Sequence, residues 1–365
     1  MKPRKILFLT LYTFSLTGGI EKVCSTFIRV LAGLKKSKMI GNSLTLSMYD
    51  SANKVSDYLA FSGNKIGFAI SATRKGTQAD IIILSHINLL IFAKLVRTIH
   101  PSKKIILFAH GIEIWKPLAT WKKKMLSTIE IWAVSNYTAV QIHQKHQVPP
   151  SRIKVLNNSL ASDFQFIEKA KPLMLLEKHN INVQQKVLLT ICRLSSAEQY
   201  KGYDLVLLAL KDLIKIKPDF IYFIVGKADQ TEQKRVDDLI AEYGLQKNVI
   251  CTGYVSDEEL NQYYQLADIF VMPSKGEGFG LVFIEAAAHG CHVIAGNSDG
   301  ADDALLSGEL GLLVDPDHIE EIYSGLLCLL NKPLSLDEIK SRQKKVQEHF
   351  GFEHYSRKVE ELLKD

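Results

Sequence analysis

The sequence predicts an α/β protein built from two Rossmann-like domains, and three observations carry that reading. The chain has 365 residues, more than a single hydrophobic core organises comfortably and enough for two. Short continuous apolar runs alternate with segments of helical spacing, the pattern of a parallel sheet covered on both faces. The alternation occurs twice, with a polar stretch containing Pro172 between the two series.

The first series opens with the apolar run 6–10, closed by polar residues and Gly18-Gly19. Residues 21–34 then set Val23, Phe27, Val30 and Leu34 on one helical stripe. Segments 80–85, 104–109 and 131–135 read as further buried strands with helices between them. Around 163–182 the pattern breaks. A second series follows, with strands at 187–192, 222–226, 249–252, 269–272 and 292–295 and helices at 204–216, 233–243 and 257–266. The predicted domains are 1–165 and 166–345. The charged helical stretch 337–365 has no strand after it, and its end, about 345–365, is expected to rejoin the first domain. No repeat of fixed period and no low-complexity tract interrupts this order.

Composition narrows the class. Apolar residues make up 47% and charged residues 23%, as in soluble globular proteins. Five cysteines stand singly, with no CxxC and an odd total, which argues against a disulfide framework or a zinc site and favours a reducing cytoplasm. The opening Met1-Lys-Pro-Arg-Lys and the apolar run after it imitate a signal peptide, yet no A-x-A site follows. Residues 1–165 carry 23 Lys+Arg against 7 Asp+Glu, a net +16, whereas 166–365 carry a net −10. Lys35, Lys36 and Lys38, and Lys122, Lys123 and Lys124 beside Trp115, Trp121 and Trp132, make a candidate set for an anionic membrane surface. Ordinary surface lysines are the plainer alternative.

The most specific motif is Lys275-Gly-Glu277-Gly-Phe-Gly-Leu-Val-Phe-Ile-Glu285, which follows a buried strand and opens a helix. Glycines there let the backbone approach a ligand, and the helix start favours a diphosphate. The spacing G-x-G-x-G is not the dinucleotide fingerprint G-x-G-x-x-G. No HExxH or Gly-Lys-Ser/Thr motif occurs, which removes the corresponding zincin and P-loop readings.

On Glu277 and Glu285, which fit an E-x7-E spacing, the chain resembles the retaining glycosyltransferases of family 4, which have the GT-B fold of two facing Rossmann-like domains and a deep cleft between them. The resemblance implies that Glu277 contacts the donor sugar and Glu285 the ribose hydroxyls. It places Arg193 and Lys201, in the loop after the second domain's first strand, on the donor diphosphate. Gly18 and Gly19 resemble the family's N-terminal glycine loop, His110 its histidine on the donor sugar, Ser135 its strand-end serine, and Tyr254 and Val255 its stretch near the base. His110, Arg193, Lys201 and Glu277 are thereby assigned to catalysis, with Gly278, Phe279, Gly280 and Leu281 joining the donor contacts. The first domain would bind the acceptor and the second the nucleotide sugar. Two segments depart from the family pattern: Asp299-Gly300-Ala301-Asp302-Asp303 stands where Gly-Gly-x-x-Glu is frequent, and Asn158-Ser159 follows Asn157 where aromatic or proline-rich variants are commoner. Asp315-Pro-Asp317 imitates a DxD metal motif, but it lies where the family makes a turn.

Plainer readings exist for each residue: loop charges for Glu277, Arg193 and Lys201, a core histidine for His110, turn glycines at Gly18 and Gly19, and a helix cap at Ser135. Glu285 sits among Phe283, Ile284, Ala286 and Ala287, an awkward place for a solvated charge. The resemblance implies metal-independent, retaining transfer of a sugar from a UDP-, GDP- or ADP-sugar, with no cofactor and no nucleic-acid partner. The expected acceptor is a glycan or polyprenyl-linked glycan of surface polysaccharide biosynthesis, met in the cytoplasm or on the inner membrane face. Alternatives are a nucleotide-sugar epimerase or phosphorylase of the same fold, or a non-catalytic nucleotide-binding protein at a membrane surface.

Overall fold

A computed structural model of the chain describes residues 3–51 and 55–364. Met1 and Lys2, part of the signal-like opening, and Asp365 lie outside the described residues. The chain divides into two compact units, Met1–Asp163 with Phe350–Asp365, and Phe164–His349.

The first unit is built on seven parallel strands: β1 (Lys5–Thr10), β2 (Asn42–Ser47), β3 (Tyr58–Ala60), β4 (Ile81–Leu84), β5 (Lys104–Ala109), β6 (Glu130–Ala133) and β7 (Ile153–Val155), in the order β3-β2-β1-β4-β5-β6-β7. Leu7 pairs with Leu44 on one side and Ile82 on the other. Because successive side chains point to opposite faces, these strands feed two cores. Leu7, Leu9, Ile82, Leu84 and Leu107 meet Phe68, Ala93, Val96 and Leu126 on one face. Phe8, Ile83, Ile106 and Phe108 meet Phe27, Trp132, Tyr355 and Val359 on the other.

Trp132 corrects an expectation. Its ring is fully buried, edge-on to Phe108 and Phe27 with centroids 5.5 and 6.2 Å away, and its indole N–H donates to Glu130 at 2.6 Å. A tryptophan on the middle of a covered strand has no route to a membrane, so the predicted tryptophan set reduces to the half-buried Trp115 and Trp121.

The second unit has six parallel strands: β8 (Lys186–Ile191), β9 (Phe220–Val225), β10 (Val249–Gly253), β11 (Ile269–Met272), β12 (His292–Gly296) and β13 (Leu312–Val314), in the order β10-β9-β8-β11-β12-β13. Build-up of the sheet reverses between β8 and β11, as it does between β1 and β4 in the first unit. Ligands of such sheets sit beyond the carboxyl ends of the strands at that reversal. The expected C-terminal helical stretch is two helices, Leu336–Phe350 and Phe352–Lys364. Among the described residues, no helix is long and apolar enough to cross a membrane.

Candidate active site

In the second unit the reversal point gathers two loops. The one after β8 ends in a short 3-10 turn, Gln199–Lys201, and the one after β11 carries Glu277. They are stitched by the Lys275 N–H, which donates to the Tyr200 carbonyl at 2.9 Å. Lys201 and Glu277 form an ion pair, their side chains only 16% and 13% exposed, and the Lys201 ammonium lies 5.2 Å from the Tyr200 ring centroid. Burial alone would lower the Lys201 pKa, but the Glu277 carboxylate outweighs it and holds the ammonium above its ordinary value. The turn is anchored from behind: Gln199 donates to Glu232 at 3.0 Å, a buried carboxylate that also accepts from Tyr203 at 2.6 Å and Arg235 at 2.8 Å.

Asp299, which sequence reasoning did not select, organises the glutamate loop. One of its carboxylate oxygens accepts from the Ser274 hydroxyl and from the Glu277 N–H, each at 2.7 Å. The other accepts from the Ala301 N–H at 2.9 Å. Burial, and next the neighbouring Glu277 charge, push its carboxyl up to about 7. The Gly300 N–H donates to the Glu277 carbonyl at 2.8 Å, and a Cβ on Gly300 would lie 2.1 Å from the Gly278 carbonyl oxygen. Only glycine allows these loops to close on each other. The segment that departs from the family pattern is therefore the one that holds the Glu277 loop; the departure was visible in the sequence, its role was not.

Other predicted residues of the second unit follow its strand ends. Gly280, at φ +87°, precedes the helix Leu281–Ala288, a backbone state that disfavours other residues. Phe279 is buried, so its ring belongs to the core. Glu285 accepts from the Tyr264 hydroxyl at 2.9 Å, a partner the sequence did not suggest, and Tyr264 stacks on His289. Arg193 follows β8 but is 76% exposed and pairs with Glu198 at 2.5 Å, not with Glu277. Tyr254 and Val255 follow β10; Tyr254 borders an open hollow of about 530 Å³ beside the start of the helix Gln230–Glu242. Asp315 is taken up in its own turn by the Asp317 N–H and His318 at 2.8 and 2.9 Å, and Asp317 pairs with Lys275 of the loop after β11.

The other predicted residues belong to the first unit. Gly18 caps the helix Gly19–Lys36, and the loop before it is pinned by buried Asp50, which accepts from the Thr13 and Ser15 N–H groups at 2.9 and 3.0 Å. His110 lies just past β5, its Nε2–H donating to the Ser85 carbonyl at 2.9 Å; burial lowers its pKa to about 4. Its backbone N–H donates to Glu113 at 2.6 Å, a further residue missed from sequence. Ser135 caps the helix Asn136–His146 by accepting from the Thr138 N–H at 3.0 Å, its plainer reading.

These features define a class: an α/β protein of two Rossmann-like units, with the fold of GT-B glycosyltransferases, whose second unit presents a lysine, a glutamate and a glycine-led helix start at the sheet's reversal point. Comparison with known proteins is more particular. Residues 175–346 match the family described as Glycosyl transferases group 1. A GDP-mannose-dependent alpha-(1-6)-phosphatidylinositol monomannoside mannosyltransferase of Mycolicibacterium smegmatis is 34% identical over 142 residues, 36% of each chain. An uncharacterized glycosyltransferase of Haemophilus influenzae is 31% identical over 189 residues, 51% of this chain and 52% of the relative. The alignments thus span about a third to a half of these relatives. Among solved structures, a glycosyltransferase from Rickettsia africae superposes with a TM-score of 0.79 at 20% identity, covering 99% of this chain and 98% of that one. Anabaena HepE, solved with UDP, gives 0.78 at 19%, covering 99% of both. At such identities the likeness is one of fold.

Proposed function

We propose that this chain is a retaining, metal-independent glycosyltransferase that moves a sugar from a nucleoside diphosphate to a glycan or lipid-linked acceptor of surface polysaccharide biosynthesis. The observation that carries the reading is the paired Lys201 and Glu277 beside the start of the helix Leu281–Ala288. An ammonium held charged in a mostly buried site, next to the positive end of a helix, suits a diphosphate. The family match over the same unit supports the same assignment.

In this mechanism the diphosphate takes up Lys201, and Glu277, released from the pair, turns to the donor sugar's hydroxyls. Arg193, exposed at the surface, exchanges Glu198 for phosphate and adds a second cation. Negative charge grows on the departing phosphate as the anomeric carbon acquires oxocarbenium character, and fixed positive charge there lowers the barrier most. Those groups take the part a divalent ion would otherwise play. Glu285 holds the ribose, oriented by Tyr264. His110, neutral at neutral pH with its proton on Nε2, offers Nδ1 as an acceptor to a sugar hydroxyl. The acceptor's proton passes to a departing phosphate oxygen as it attacks from the same face. UDP-, GDP- and ADP-sugars are the candidate donors.

The test is thermal unfolding with a panel of these sugars, followed by transfer assays with a polyprenyl-linked glycan, with and without EDTA, and assignment of the product anomer by NMR. Stabilisation by one donor, EDTA-insensitive transfer and an unchanged anomeric configuration are expected. Epimerised donor without transfer, or an inverted product, refutes the reading.

A further inference from the structure

On the first unit, the helices Lys65–Gln78 and Leu90–Ile99 bury Phe68 and Ala72, and Phe92, Ala93 and Val96, in one core against one face of the sheet. Leu126 of the helix Thr120–Leu126 enters the same core. Their outer surfaces therefore look the same way. What those surfaces carry is unusual for a soluble helix. Ile66 and Ile70, one turn apart, are 76% and 64% exposed; on the neighbouring helix Ile91, Leu95 and Ile99, again at helical spacing, are 41–57% exposed. Two aliphatic stripes thus lie side by side in solvent, where single exposed aliphatics would be ordinary.

Cations frame the stripes. Lys65, Arg74, Lys75, Lys94, Lys123 and Lys124 are exposed on the same three helices, and Lys94 lies 5.3 Å over the Trp121 ring. Between residues 58 and 128 the chain has only two acids. Asp80 binds the Lys5 N–H at the strands' amino end, and Glu113 is turned onto the His110 backbone.

We infer that this three-helix face is a docking surface for an anionic lipid bilayer, with Ile66, Ile70, Ile91 and Leu95 entering the acyl boundary and the lysines meeting the headgroups. Aliphatic stripes ringed by base, with no acid among them, match a surface that is apolar below and negative above. A two-fold contact with a second copy would set base against base. Nucleic acid would meet the cations but leave the isoleucines without a partner. The face also lies beside the first unit's site: the helix Leu90–Ile99 starts from the loop after β4, where Lys122 donates to Asn88 at 3.0 Å, and the Ser85 carbonyl in that loop holds His110.

Flotation of the full chain with phosphatidylcholine vesicles, and with vesicles of equal parts phosphatidylcholine and phosphatidylglycerol, tests this without any sugar-transfer readout, so its outcome is separable from that of the proposed activity. Wild type is expected to float only with the anionic vesicles. The I66S/I70S/I91S/L95S and K94E/K123E/K124E variants should each lower the bound fraction about tenfold, with melting temperatures and gel-filtration volumes unchanged. Equal binding by the variants, or no binding by wild type, overturns the inference. So does a wild-type dimer that the aliphatic variant splits, because a second copy then covers the face.

Discussion

Replacing Asp299 with asparagine should remove a specific pH dependence from the stability of the second unit. The wild-type carboxyl is pushed from an ordinary 3.8 to about 7, first by burial and then by the Glu277 charge. Below pH 3.8 it is protonated in both folded and unfolded chains. As the pH rises the unfolded chain ionises first while the folded chain keeps its proton, so stability falls until about pH 7 and is level above it. The gap between 3.8 and about 7 corresponds to about 4 kcal/mol. Asparagine cannot ionise, and it sets one NH2 against an N–H or O–H donor now satisfied by Asp299, a loss of about 1–3 kcal/mol. Wild type should therefore be the more stable protein near pH 4 and lose that advantage by pH 8. Urea unfolding of both proteins at a series of pH values, followed on the transition that the substitution shifts, measures the difference. A difference that stays constant from pH 4 to pH 8 would refute the burial argument.

Gly300→Ala forces a Cβ to within 2.1 Å of the Gly278 carbonyl oxygen, so it should cost about 2–4 kcal/mol of stability and abolish donor protection in thermal unfolding. Lys201→Ala leaves the largely buried Glu277 without its cation; stability should drop by about 3 kcal/mol and donor affinity, measured by calorimetry, about a hundredfold. His110, held neutral by burial, should show no ring titration by NMR between pH 5 and 8; because its folded pKa is depressed to about 4, its contribution to stability is present above about pH 6.5 and is lost as the pH falls toward 4. Tyr264→Phe removes one hydrogen bond to Glu285 and should weaken nucleotide binding by about 1 kcal/mol, with little change in the bond-breaking rate.

Long buried strands were legible because they are continuously apolar: β5 and β11 have the bounds their sequences predict. β2 was missed because its buried positions include Ser43, Thr45 and Ser47, so a covered strand reads as polar; Ser47 is satisfied by the Leu11 carbonyl at 3.2 Å. β3, β7 and β13 have three residues each, too few to carry a period. At the site, residues tied to a motif were found, whereas Asp299, Glu232 and Tyr264 were not. Their contribution depends on contacts across 21 to 33 positions of sequence, which no local pattern encodes. Trp132 went the other way: lysines and tryptophans near in sequence suggested one surface, but a strand covered on both faces buries its ring whichever face it takes. The exposed Ile66 and Ile70 lay unremarked because an isoleucine on an amphipathic helix reads by default as core.

A crystal structure with the donor that best raises the melting temperature tests most directly where the diphosphate of a nucleotide sugar is held. The diphosphate oxygens should lie about 3 Å from the Lys201 Nζ and from the backbone at the start of the helix Leu281–Ala288, with Glu277 moved off Lys201 onto the sugar. A nucleotide bound elsewhere, with the Lys201–Glu277 pair intact, would contradict it.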